Sequence, residues 1–385
     1  MPLTIHTPSG RRRDKEATMA IMLRGLGTAV PEHSISQNDA AEMAVGLCCS
    51  TAQQTKLLPA LYRRAGVRTR HSVILDASAN GESAQQTFYA NARNDDDSGP
   101  PTSSRMDRYE SEAGQLACNA AGRAVENSGV EARDVTHLIT VSCSGFNAPG
   151  FDISLITDLP LNPGVERTHI GFMGCHGALN GLRVARAFLR ADPSAVVLLC
   201  AVELCSLHQQ YGWNPEQIVA NALFADGAAA VVLTSEDVDP DSIDTPMLSG
   251  NASYVLPDST DLMTWRIKDS GFEMTLSPRL PDLIQSRLNE WLTGWLQRFE
   301  LTPADIASWA IHPGGPRVLS ATGNALNLAD EQLQPSRDVL AEYGNMSSPT
   351  VLFILSRLAG QNSTGPCVML GFGPGITIEV ALLKL

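Results

Sequence analysis

Short apolar runs with no polar alternation recur along this 385-residue chain, and longer helical patterns separate them. "HLITVSCSG", "SAVVLLCAVELCS" and "CVMLGFGPG" read as buried strands, while "ESEAGQLACNAAGRAVENSG" and "DLIQSRLNEWLTGWLQRF" read as helices. A strand that shows no polar face needs cover on both sides. Strands alternating with helices therefore imply βαβ units and a mainly parallel central sheet in an α/β fold. The pattern repeats after a linker, "DVDPDSIDTP", at about 237–246. The expected layout is a flexible lead-in over 1–20, a first half over 21–240 and a second half over 246–385. The order of elements suggests a duplication; sequence identity between the halves does not. The polar stretch from about Asp76 to Ser104, with "NDDDSGPP", reads as an exposed loop.

Composition narrows the function classes. The formal net charge is −13, which argues against nucleic acid as a partner, because phosphate binding needs clustered Lys and Arg. No run reaches the ~18 apolar residues of a membrane span. The eight cysteines include no CxxC pair and no Cys/His spacing that suggests zinc. Most lie in apolar runs, so a reduced, cytoplasmic setting is expected.

One cysteine stands apart. In "IGFMGCHGALNGL", Cys175 lies between glycines and enters an apolar helix pattern of Ala178, Leu179, Leu182, Ala185 and Leu189. A cysteine at a helix N-terminus sees the positive end of the dipole and free N–H groups. Both favour the thiolate, and the same donors suit an oxyanion on a bound acyl group. A buried structural cysteine is the alternative. A cysteine nucleophile needs a histidine, and usually an amide or acid, that folding brings near. His312 in "WAIHPGGPRVL" falls at the end of a buried strand, where α/β folds place chemistry. Asn345 in "YGNMSSPTVLFIL" precedes a helix start and is either a helix cap or an N–H donor to a developing enolate.

Taken together, "GFMGCHGALNGL", "ANALFADGAAA", "LSPRLPDLI", "WAIHPGGP", "YGNMSSPTVLFIL" and "GFGPG" make the chain resemble the type III polyketide synthases. These form the chalcone and stilbene synthase family of the thiolase-like fold, and the resemblance runs from about residue 20 to the end. It implies duplicated αβαβα layered halves, an acyltransferase activity, and Cys175, His312 and Asn345 as catalytic residues. An acyl-CoA starter would form a thioester on Cys175, and malonyl-CoA would condense onto it iteratively with loss of CO2. Cyclisation to a pyrone, resorcinol or related phenolic product would follow. His312 would support the Cys175 thiolate as imidazolium and, with Asn345, hold the enolate. The resemblance implies no bound cofactor, acyl-CoA and malonyl-CoA as substrates, and a homodimer.

Further positions follow by alignment to the family. Phe224 and Met274 fall on the gatekeepers, and Cys143, Cys205, His208 and Trp265 on the cavity wall. Simple packing is the alternative for each. Trp265 would either shorten the cavity or turn outward. Arg64 and Lys56, with Gly314 and Gly315, fall where CoA would bind. Ala148 stands where the family carries a methionine that reaches the partner subunit. An initiation-type 3-ketoacyl synthase working with acyl carrier protein uses the same Cys, His and Asn, but its histidine lacks the His-Pro-Gly-Gly-Pro frame.

Overall fold

The computed structural model describes residues 19–76, 85–238, 245–361 and 363–385. Most of the expected lead-in and linker therefore lies outside the described residues. The first half opens with β1 (Ala20–Ala29), β2 (Ser34–Ser36), α1 (Gln37–Cys48), α2 (Ala52–Arg64) and β3 (Thr69–His71). It continues with α3 (Thr102–Ser128), β4 (His137–Ser142), α4 (Phe151–Asp158), β5 (Glu166–Gly171) and α5 (Gly177–Ala191), then β6 (Val197–Leu204), α6 (Pro215–Leu223) and β7 (Asp226–Glu236). The second half holds β8 (Met247–Val255), β9 (Met263–Lys268), β10 (Gly271–Leu276), α7 (Leu280–Leu296) and β11 (Ser308–Ile311). It ends with α8 (Pro316–Leu326), α9 (Asp330–Tyr343), α10 (Thr350–Gly360), β12 (Pro366–Gly373) and β13 (Thr377–Lys384).

Nine strands form one sheet in the order β11-β12-β13-β8-β1-β7-β6-β4-β5. The duplication is visible in the pairing. β4 runs parallel to β6, β6 antiparallel to β7, and β7 antiparallel to β1. In the second half β11, β12, β13 and β8 repeat the same sequence of parallel, antiparallel and antiparallel pairs. The two halves join antiparallel at Met22 and Met247. The parallel pairing expected from the alternation of elements holds at the flanks, where β4 also pairs with β5. The middle of the sheet is antiparallel, so the whole is mixed.

Alternate residues show why the strands lack a polar face. Leu198, Cys200 and Val202 of β6 pack under α1 and α3, whereas Val197, Leu199 and Ala201 pack against the central layer. On β12, Val368 and Leu370 face α7 and α8, and Cys367 and Met369 face the centre. With a side-chain period of two, both faces of each strand are covered. The apolar faces of α5 and α10 fill the central layer, which gives five layers in all. The long α3 stops at Gly129, whose φ of 70° is the left-handed conformation glycine takes at a helix end. The stretch from Asp76 to Ser104 is not wholly exposed: Tyr89 is buried and donates its hydroxyl to the Ser206 carbonyl at 2.9 Å.

Candidate active site

Duplication brings equivalent positions of the two halves together. Cys143 directly follows β4 and His312 directly follows β11, while Cys175 precedes α5 and Asn345 to Ser348 precede α10. Cys175 lies in a tight turn over Gly174–His176 that leads straight into the 15-residue α5. Gly174 has a φ of 70°, and a Cβ there would fall 2.5 Å from Pro374 Cδ. Only glycine fits, because the turn is pressed against the closing "GFGPG" loop of the other half.

The Cys175 thiol is buried, and burial pushes its pKa up to about 12. The Ser347 hydroxyl and the Asn345 side chain act in the opposite sense as hydrogen-bond partners of the sulfur, while the Glu203 charge adds to the upward push. Asn345 is not a cap of α10, whose N-cap is Pro349. Its backbone bridges to Leu223 and Ala225 on either side of Phe224, at 2.9 Å each. Its Oδ1 accepts the Ser347 N–H at 2.7 Å, which leaves the amide N–H2 to donate toward sulfur.

His312 has no exposed surface, and its backbone N–H donates to the Leu370 carbonyl of β12 at 2.8 Å. Neither ring nitrogen has a partner among the described residues. Burial, with His176 nearby as a lesser cause, holds its pKa down to about 3. The expected thiolate–imidazolium pair is thus not formed in this structure. His312 makes no hydrogen bond to Cys175, and burial drives both groups to their neutral forms. The ring nitrogens are left free for a ligand.

Cys143, Cys175, Cys205, Phe224, Trp265, Met274 and Ser347 line one narrow chamber. Cys205, Phe224, Trp265 and Met274 also border a second chamber, which adds His208, Phe272 and polar residues of α6. Trp265 turns inward. Its Nε1–H donates to the Cys143 carbonyl at 2.7 Å, and its ring meets His208 edge-on. His208 is a wall and not an acid. It stacks on Phe272 at 4.2 Å, its Nδ1 accepts the Phe272 N–H and its Nε2 lies 2.6 Å from the Ser144 carbonyl. Burial holds its pKa down to about 3, so the ring is neutral. A third, largely apolar chamber also borders Phe224 and is lined by Ile35, Met43, Leu47 and Ile74 among others. Lys56 and Arg64 are exposed on α2 and line none of these chambers. The chain just past Arg64 nevertheless abuts the His-Pro-Gly-Gly-Pro turn: a Cβ on Gly66 would lie 2.9 Å from Pro316. Gly314 and Gly315 belong to that turn, and Gly315 approaches Leu223, the neighbour of Phe224.

Sequence reasoning missed Glu203. This fully buried carboxylate on β6 accepts from Cys143 N–H at 2.9 Å, Ser144 N–H at 3.0 Å, Ser144 hydroxyl at 2.6 Å and Ser348 hydroxyl at 2.6 Å. It ties the end of β4 to the Asn345–Ser348 turn. Burial raises its pKa, and the serine and backbone donors offset part of that. Its signal was a single charge inside the apolar run "AVVLLCAVELC", a placement that is costly unless donors surround it. Arg105 was missed as well. It is fully buried and donates to the carbonyls of Leu207 and Gln209, at 2.8 and 2.9 Å, so it braces the wall that carries Cys205 and His208.

A layered, duplicated α/β fold with a buried cysteine at a helix start and a chamber beside it fits an acyl-transferring condensing enzyme. Models of the chalcone and stilbene synthases match over residues 8–237 for the N-terminal domain and 248–385 for the C-terminal domain. A 1,3,6,8-tetrahydroxynaphthalene synthase of Streptomyces peucetius is 34% identical over 93% of this chain and 91% of its own length. Pks18 of Mycobacterium tuberculosis, described as an alpha-pyrone synthesis polyketide synthase-like protein, is 29% identical over 96% of this chain and 92% of its own. The crystal structure of PKS-I from the brown alga Ectocarpus siliculosus superposes with a TM-score of 0.86 at 30% identity, covering 96% of this chain and all of that one. The chain belongs to the chalcone and stilbene synthase family, the acyltransferases called type III polyketide synthases.

Proposed function

We propose that this polyketide synthase carries its growing chain as a thioester on Cys175, with His312 and Asn345 as its other catalytic residues. The observation that carries the reading is that Cys175 and Ser347 line one chamber with Phe224 and Trp265, while the Asn345 backbone is bonded on either side of Phe224. Acyl-CoA docks, His312 takes the Cys175 proton, and the thiolate displaces CoA from the acyl carbonyl. Malonyl-CoA follows. Its carboxylate leaves as CO2, and the electron pair moves onto the thioester oxygen as an enolate. Asn345 N–H and the His312 ring N–H hold that oxygen in a site closed to water. The enolate carbon then attacks the Cys175 thioester and expels the sulfur. The aromatic ring of Phe224 disfavours a carboxylate beside it and so favours CO2 loss.

CoA fits at the surface where the end of α2 meets the Gly314–Gly315 turn. Arg64 and Lys56 would supply charge to its phosphates from the exposed face of α2. The edge strand β5 and the exposed side chains of Phe146, Phe172 and Met173 form an apolar border next to the Cys175 turn, which supports a homodimer closing there.

The test is product formation from purified protein given malonyl-CoA and a series of acyl-CoA starters. The expected result is CO2 release with polyketide products, and none from Cys175→Ala, which should still bind CoA. Products from the alanine variant at the wild-type rate would overturn the assignment. Acyl carrier protein thioesters, offered in parallel, should be poorer donors than the CoA thioesters.

A further inference from the structure

The residue after the nucleophile is a buried titratable ring that the reaction above does not use. His176 is 3% exposed and faces away from the chamber. Its Nδ1 lies 2.7 Å from Asn180 Oδ1, one helical turn along α5. Asn180 Nδ2 donates to Glu379 Oε1 of β13 at 2.9 Å, and Arg183 Nη1 lies 3.2 Å from both Glu379 oxygens. These contacts fix every orientation. A carboxylate can only accept, so the Asn180 amide nitrogen faces Glu379 and its oxygen faces His176. His176 Nδ1 must therefore carry the proton it donates.

The other edge of the ring meets the second half of the molecule. A Cβ on Gly373 would fall 2.4 Å from His176 Nε2, and one on Gly371 would fall 3.1 Å from His176 Cβ. The "GFGPG" loop is thus moulded around this imidazole, and Pro374 closes on Gly174 one residue before the nucleophile. His312 hangs from the same strand through its bond to the Leu370 carbonyl, next to Gly371. Cys175 from one half and His312 from the other are both registered on β12, and His176 is the part of the nucleophile turn that grips that strand.

We propose that His176, held by Asn180, Glu379 and Arg183, is a positioning residue that sets Cys175 against His312 across the two halves. It touches no substrate and transfers no proton. The inference rests on Cys175 being the nucleophile. Loss of the clasp lets the turn shift on β12, and a displacement of about 1 Å at reacting atoms can cost ~100-fold in rate.

The experiment uses the full-length enzyme, with active sites counted by stoichiometric labelling of Cys175 with iodoacetamide. For His176→Phe and Asn180→Ala, the expected kcat per labelled site falls tenfold or more, while KM for malonyl-CoA stays within about twofold. His176→Asn, whose amide can still donate toward Asn180, should recover most of the loss. If both His176→Phe and Asn180→Ala keep kcat per labelled site within twofold, the proposal fails, even when melting temperature and labelled fraction drop, because that pattern is packing alone. Should His176→Phe not fold, Asn180→Ala and Glu379→Gln decide by the same criterion. A fully active Cys175→Ala control would instead sink the nucleophile assignment beneath it.

Discussion

A thiol that water cannot reach does not ionise unaided. At Cys175 burial dominates, and the helix start, Ser347 and Asn345 only reduce its effect. Of the buried rings, His176 is tied to Asn180 and His208 to Ser144 and Phe272, whereas neither ring nitrogen of His312 has a partner among the described residues. That availability supports the proposed role of His312 as acceptor of the sulfur's proton. His312→Gln keeps a side chain of similar reach but cannot take a proton. Alkylation of Cys175 by iodoacetamide at pH 7 is expected to slow about tenfold or more in this variant, in line with the usual contribution of a positioned base. An unchanged alkylation rate would show that the ring does not serve the sulfur. At this scale Cys175, His312 and Asn345 were singled out by the resemblance to the family, which their flanking glycines and prolines carry. Glu203 was not, since a lone carboxylate in an apolar run gives no sign of the four donors that folding gathers around it.

Among the elements, the β9–β10 hairpin matters most to the chamber and was not read in advance. The core strands announce themselves by unbroken burial, as β6 does at every position, but β9 and β10 are buried only at their chamber ends. Short strands with mixed exposure give neither a clean alternation nor an apolar run. Alignment to the family nevertheless placed Trp265 and Met274 at the chamber. They are cross-strand partners on this hairpin, which explains why they border both chambers together. Trp265 lines both chambers and stands as a partition between them. Trp265→Gly removes the partition and merges the two. With the same starter, the product mass spectrum should shift toward species with additional acetate-derived units. The melting temperature should fall as well, since the ring's contacts and its bond to Cys143 are lost. An identical product profile in a folded variant, as counted by Cys175 labelling, would mean the ring does not limit chain length.

On the scale of the molecule, closing two sheet halves over α5 and α10 buries ionisable groups that would otherwise be wet. His176, His208 and His312 are buried and their pKa values are lowered chiefly by that burial, to about 3 for His208 and His312, and the half-buried His71 is lowered in the same sense. An imidazole in the unfolded chain titrates near 6.5, so below that pH the unfolded chain takes up protons that the fold refuses. This contribution is fully present above about pH 6.5 and is lost as pH falls toward 3. Two buried carboxyls act in the opposite sense. Asp226 is pushed up to about 6 by burial and Glu203 is raised, so the fold binds protons there before the unfolded chain does. These imidazoles outnumber the two carboxyls, and each net proton is worth roughly 1.4 kcal/mol per pH unit. The melting temperature should therefore decline steadily from pH 7 to pH 5 in buffers of equal ionic strength. A melting temperature that holds level or rises over that interval would mean that the histidines are hydrated in solution, and that the central layer is looser than the packing of α5 and α10 implies.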